Sequence, residues 1–97
     1  MKLQMHSIKF DADDSLLEFI QKKINKLETF YDKFIDGEVY LKINNQGIEN
    51  KTVEVKLNIP GDQLFAESSS KSFEAATENA TEALRRQLRK RKDKVPA

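Results

Sequence analysis

The 97-residue sequence predicts an α/β fold of the α+β kind: a two-layer sandwich in the order β-α-β-β-β-α, with a four-stranded sheet and two helices packed on one of its faces. Three observations predict it. Thr52 to Ile59 alternates between apolar and polar residues, Leu16 to Tyr31 carries an apolar stripe at helical spacing, and Phe73 to Leu88 carries another. Every candidate strand alternates, so one sheet face is wet and both helices cover the other.

In the first strand Leu3, Met5 and Ser7 alternate with Lys2, Gln4 and His6. Asp11-Ala12-Asp13-Asp14 interrupts it, and Ser15-Leu16-Leu17-Glu18 has capping-box spacing, although Asp13 or Asp14 would cap equally well. A helix is expected from there to about Tyr31. At ~100° per residue Leu16, Ile20, Ile24, Leu27 and Tyr31 fall in one stripe that faces the core. Asp36-Gly37 is expected to end that segment. Val39, Leu41 and Ile43 then alternate with Tyr40, Lys42 and Asn44 as a second strand, and Asn44-Asn45-Gln46-Gly47 reads as a loop.

In the third strand Val53, Val55, Leu57 and Ile59 point one way, and Thr52, Glu54, Lys56 and Asn58 the other. Pro60-Gly61 suits the central pair of a type II turn, since proline fixes φ and glycine accepts a positive φ. The fourth strand is expected from Gln63 to Ser68, with Leu64 and Ala66 on one face. Ser68-Ser69-Ser70 reads as a linker, with Ser70 or Ser72 capping the last helix. That helix is expected over Ser72 to Lys92, with Phe73, Ala76, Thr77, Ala80, Leu84 and Leu88 as its inner stripe. Arg91 continues the stripe, so the final basic turn is expected to project beyond the sheet. A right-handed crossover through the first helix would lay the first strand beside the antiparallel meander of the other three.

Residues 1–97 are expected to form a single domain, with a basic end at 85–94 and no C-terminal dimerisation domain. With 38% apolar and 34% charged residues, the composition is that of a globular chain, and no run approaches the ~20 apolar residues of a membrane span. Met1 to His6 lacks the apolar core of a signal peptide. The absence of cysteine excludes thiol chemistry and fits a reducing, cytoplasmic setting. The net charge of +1 hides an asymmetry. Residues 1–83 hold 10 Lys/Arg against 15 Asp/Glu, a balance of −5, whereas 84–97 hold 7 against 1, a balance of +6. Charge gathered at one end points to a polyanionic partner.

An enzyme finds little support. His6 is the lone histidine, so no paired-histidine metal set exists, and neither metal nor cofactor is expected. Asp11, Asp13 and Asp14 sit where acids meet a helix dipole favourably. The three glycines are isolated, so there is no phosphate loop. The basic residues say more. In the last helix Arg85, Arg89 and Lys92 share one stripe, with Arg86 and Lys90 on another beside it. Such a row matches a phosphate backbone. Cations near a helix C-terminus gain a few tenths of a kcal/mol each from the dipole, and Glu82 with Arg86 is an ordinary i,i+4 pair. Those effects explain two or three cations, not seven.

In the first helix Lys22, Lys26 and Lys33 lie along one flank of the stripe, with Lys23 at its border. Glu18, Glu28 and Asp32 lie on the other. Phe19 and Phe30, near the lysine flank, read as core edge rather than as base-stacking platforms. Two cationic helix faces on one side of a sheet would line a groove for RNA. The double-stranded-RNA-binding domain reads shape and phosphates with a related α-β-β-β-α layout. The rivals are a generic double-stranded-RNA binder and a protein-interaction module that modulates transcription.

The run Phe19-Ile20-Gln21-Lys22-Lys23-Ile24-Asn25-Lys26-Leu27-Glu28-Thr29-Phe30-Tyr31-Asp32 resembles the first-helix signature of the short ribosome hibernation promoting factors and ribosome-associated translation inhibitors, also called the sigma-54 modulation protein family. Arg86-Gln87-Leu88-Arg89-Lys90-Arg91-Lys92-Asp93-Lys94 resembles that family's closing motif, and Val39-Tyr40-Leu41-Lys42 sits where its second strand lies. The resemblance spans nearly the whole chain. It implies a non-enzymatic translation inhibitor that binds small-subunit 16S-type rRNA in the decoding channel of the 70S ribosome, excludes messenger and transfer RNA from the A and P sites, and preserves idle ribosomes. By position it implies contacts from Lys23, Lys26, Arg86 and Lys90, to which the helical stripes add Lys22, Arg85, Arg89 and Lys92. No membrane and no small-molecule substrate are expected, and ribosome pairing would need a partner factor. The start of the last helix departs from the family's spacing by one residue and is acidic (Glu74, Glu78, Glu82), so its phosphate contacts are expected in the C-terminal half.

Overall fold

The computed structural model describes residues 1–44 and 47–94, with side chains through residue 91. The chain runs β1 (Lys2–Ile8), α1 (Asp14–Asn25), a 3-10 turn (Lys26–Thr29), β2 (Asp36–Ile43), β3 (Lys51–Ile59), β4 (Asp62–Ser70) and α2 (Phe73–Lys94). The sheet order is β1-β2-β3-β4, parallel between β1 and β2 and antiparallel elsewhere. This is the expected α+β sandwich, with β1 laid beside the meander by the α1 crossover.

The inward residues of the strands (Val39, Leu41, Val53, Val55, Leu57, Leu64, Ala66) form one buried cluster with Ile20, Ile24 and Leu27 of the first helical segment and Phe73, Ala76, Ala80, Leu84 and Leu88 of α2. Thr77 joins them at 0% exposure, because its hydroxyl donates back to the Phe73 carbonyl at 2.7 Å and needs no other partner. Both helices therefore cover the same face.

Among the candidate caps of α1, Asp13 is the one used: it accepts from Leu16 N at 2.8 Å and from Ser15 Oγ at 3.0 Å. Ser72 caps α2, accepting from Ala75 N at 3.1 Å. Gly61, at φ +77°, follows Pro60 in the β3–β4 turn, as a type II turn requires.

Several boundaries differ from expectation. The first helix does not run regularly to Tyr31. It tightens into the 3-10 turn after Asn25, where Thr29 Oγ1 donates to the Lys26 carbonyl at 2.8 Å. Gly37 is not a terminator but a β2 residue opposite Leu3 and Leu57. A Cβ there would meet Leu57 Cδ2 at 2.6 Å and Leu3 Cδ2 at 2.8 Å, so the glycine lets two leucines close over the strand. Ser68, Ser69 and Ser70 are no linker: they complete β4 opposite Val53, Thr52 and Lys51. Thr52 and Ser69 hydroxyls pair at 2.7 Å, and Asn44 Nδ2 donates to Thr52 Oγ1 at 2.9 Å. Thr52 is thereby buried on the outer face. Ile43, at the end of β2, is 43% exposed instead of inward. Of the expected loop, Asn45 and Gln46 lie outside the described residues.

Candidate nucleic-acid interface

Where α1 and its 3-10 turn lie beside α2, they leave a groove lined by both. Lys23 Nζ crosses it to Glu78 Oε1 at 3.3 Å and lies 5.5 Å from the Phe19 ring centroid. One helical turn on, Arg85 Nη1 meets Glu82 Oε2 at 3.4 Å, and its guanidinium carbon stands 5.1 Å from the centre of Phe30. Two hollows open here. The larger, about 300 Å³, has Lys26, Phe30, Thr81, Glu82 and Arg85 in its walls; the smaller, about 100 Å³, is lined by Phe30, Arg85, Leu88 and Arg89.

The eight basic residues singled out by sequence thus divide. Lys23, Lys26, Arg85 and Arg89 come together along the groove. Lys23 and Arg85 are half-buried and already paired with carboxylates. Lys22, Lys26, Arg86, Arg89 and Lys90 are exposed, and none of them forms an ion pair among the described residues. Arg86 lies ~200° around the helix from buried Leu84 and so faces away from the sheet. Lys90 lies on the flank of Gln87, whose Nε2 donates to the Phe65 carbonyl at 2.7 Å on the β4 side. The Lys92 side chain lies outside the described residues.

Arg91 corrects the expectation of a final turn that merely projects beyond the sheet. It reaches back to the β3–β4 turn and bonds Asp62. The Asp62 carboxyl is held below its ordinary range, first by the Gln63 backbone N–H and then by Arg91. Sequence reading also missed Phe30, taken for core edge but 43% exposed. Its partnership with Arg85 spans two helical segments far apart in sequence, so no local pattern shows it.

The uncovered sheet face differs in kind. His6 does lie on the outer face of the β1 edge strand, stacked on Tyr40 at 4.7 Å. Tyr40 donates its hydroxyl to Glu38, which raises the phenol above its usual range. Glu54 and Glu67 stand opposite each other across β3 and β4 and share a hydrogen bond that lowers Glu54 and raises Glu67. Lys42 Nζ lies 3.1 Å from Glu54 Oε1. Lys56 Nζ lies over the Tyr40 ring, 5.4 Å from its centroid. Among the described residues no three His, Cys, Asp or Glu groups are placed to hold a metal ion, and no helix is long and apolar enough to cross a membrane.

Residues 3–96 match the family described as Sigma 54 modulation protein / S30EA ribosomal protein. The chain belongs to this family. It is the family that the first-helix and C-terminal motifs resemble. Among S30EA relatives, the Deinococcus radiodurans ribosome hibernation promotion factor is 31% identical over 91 residues, which cover 90% of this chain and 47% of that protein. The Escherichia coli K12 ribosome hibernation promoting factor is 28% identical over 95 residues, which cover 98% of this chain and 97% of that one. The chain therefore spans about half of the first relative and nearly all of the second. A ribosomal subunit interface protein from Coxiella burnetii shares the fold with a TM-score of 0.87 at 24% identity, over 97% of this chain and 100% of that one. The Thermus thermophilus Protein Y N-terminal domain does so at 0.81 and 19%, over 93% and 98%. Neither the S30EA family description nor these relatives' names denote a class of enzyme.

Proposed function

We propose that this chain is a ribosome hibernation factor that silences translation by occupation. It binds small-subunit 16S-type rRNA, in the free subunit and in the 70S ribosome of the cytoplasm, with its helix face in the decoding channel. There it takes the place of messenger and transfer RNA at the A and P sites. No bond is made or broken, and the inhibition lasts while the protein stays bound.

The single observation that carries this reading is the set of five exposed cations, Lys22, Lys26, Arg86, Arg89 and Lys90, that no carboxylate among the described residues neutralises. Of the other α2 cations, Arg85 and Arg91 are paired with Glu82 and Asp62. A phosphate backbone supplies the missing anions, and release of its counterions drives the association. Arginine brings bidentate geometry and lysine a mobile point charge. Lys23 and Arg85, already paired, shape the groove wall, and Lys92, on the basic stripe read from the sequence, is a further phosphate contact in this reading. Glu74, Glu78 and Glu82 repel phosphate, which sets the contact on the C-terminal half of α2. The hibernation factors among the relatives support the ribosome as target.

Co-sedimentation of the purified protein with ribosomal subunits and 70S particles, with and without competing messenger and transfer RNA, tests the reading. Stoichiometric migration with the small subunit, lost on competition, is expected. Protein left at the top of the gradient at low salt would overturn it. Steep weakening between low and moderate salt separates phosphate binding from an apolar protein interface.

A further inference from the structure

The groove offers more than charge. Phe30 leaves 43% of its surface in water at the end of the 3-10 turn. Arg85 lies over its ring at 5.1 Å, while Arg85 Nε is shut off from solvent with no hydrogen-bond partner among the described residues. Its guanidinium is therefore held by stacking and by one long contact to Glu82. Both residues line both hollows, so together they form the wall between them. In the larger hollow, Thr81 and Glu82 supply polar atoms on the α2 side and Lys26 stands on the opposite side.

A free phosphate is a poor occupant, because two of the three cations lining that hollow, Lys23 and Arg85, are already paired with Glu78 and Glu82, which leaves Lys26 alone to hold it. A nucleobase fits the chemistry. It is flat and neutral, it stacks on an aromatic ring backed by a guanidinium, and its exocyclic amine donates to a carboxylate. We propose that the hollow is a subsite for one unpaired nucleobase of the bound RNA, stacked on the Phe30–Arg85 wall, with its flanking phosphates on Lys26 and Arg89. Glu82 and Thr81 hold the base edge. The amine requirement selects adenine, cytosine or guanine over uracil. This subsite rests on the RNA-binding reading above and deepens it, since it lets the protein mark one position on an otherwise shape-read surface.

The test pairs two footprints on purified small ribosomal subunits, at protein concentrations that saturate each variant. Hydroxyl-radical cleavage reports the phosphate backbone; dimethyl sulfate and kethoxal report base edges. Wild type should protect a stretch of backbone and change the reactivity of one unpaired A, C or G within or beside it. Phe30→Leu, which keeps an apolar side chain at a half-exposed site, should bind about ten-fold more weakly. At saturation it should keep the backbone footprint and return that base to its free reactivity, whereas Phe30→Trp should retain the base signal. A backbone footprint with no base signal that depends on Phe30 would overturn the subsite and leave RNA binding standing. No footprint of either kind from wild type would bring down both.

Discussion

The salt dependence of ribosome binding follows from which cations already have partners. Lys22, Lys26, Arg86, Arg89 and Lys90 are exposed without an ion pair among the described residues, whereas Lys23, Arg85 and Arg91 sit against Glu78, Glu82 and Asp62. Only a cation that neutralises phosphate releases a counterion, and each contributes roughly 0.7 to 0.9 to the slope of log K against log salt. Five free cations therefore give a slope of about −3.5 to −4.5. Between 50 and 200 mM salt the affinity should fall about 100- to 500-fold. Replacing Arg86 and Lys90 by alanine leaves three such cations, for which the fall shrinks to about 20- to 40-fold.

The assay is a titration of dye-labelled protein with small ribosomal subunits, followed by anisotropy across a salt series at constant magnesium. Its control is the Lys23→Ala/Arg85→Ala double variant, which removes the same formal charge from positions already neutralised. That variant should keep the wild-type slope even where its affinity drops. Equal slopes for wild type and Arg86→Ala/Lys90→Ala would refute the division of the cations. So would a slope lost in the control and kept in the test variant.

Three further outcomes probe the scaffold. Gly37→Ala drives a Cβ to 2.6 Å from Leu57 Cδ2 and 2.8 Å from the Lys56 carbonyl, and should destabilise by about 1–3 kcal/mol in a denaturant titration. Asp62 titrates below its ordinary value because the Gln63 N–H and Arg91 favour the carboxylate. Its stabilising contribution is therefore present above the unfolded carboxyl range and lost as pH falls through the lower folded pKa. Asp62→Asn should accordingly lower Tm at pH 7 and match wild type in strong acid. Glu67 behaves oppositely, since Glu54 raises it: its contribution is present below the ordinary range and lost as pH rises through the raised folded pKa. Glu67→Gln, a permanent donor to Glu54, should add about 0.5 kcal/mol at pH 7, read as roughly 2–4 °C in Tm, with the gain vanishing toward acid.

Legibility in the sequence followed the range of the interaction. The alternation in β3 and the α2 stripe through Thr77 and Leu88 are periodic within one element, and the structure buries those residues as expected. The two elements in the wrong state were decided by distant partners. Gly37 reads as a helix stop by itself and becomes a strand residue because Leu3 and Leu57 need the space above it. The serine triplet reads as a linker until Thr52 is set opposite Ser69, where paired hydroxyls do the work of an apolar contact. The basic cluster was visible as composition, but which of its members are spent was not. The pairings Lys23–Glu78 and Arg91–Asp62 join residues on separate elements, and sequence spacing carries no sign of either.

That distribution of spent and free charge would let a chain of net charge +1 address the polyanion proposed as its partner. On the uncovered sheet face Glu54 is answered by Lys42. In the helix groove the two acids nearest α1 are consumed by Lys23 and Arg85. On the C-terminal half of α2, Arg86, Arg89 and Lys90 remain exposed without an ion pair among the described residues. Because screening confines such charges to within about a Debye length, ~10 Å in 0.1 M salt, a phosphate surface meets the local excess and not the total. An acidic first half of α2 is then no obstacle to RNA. It decides which end of the helix a phosphate backbone would approach.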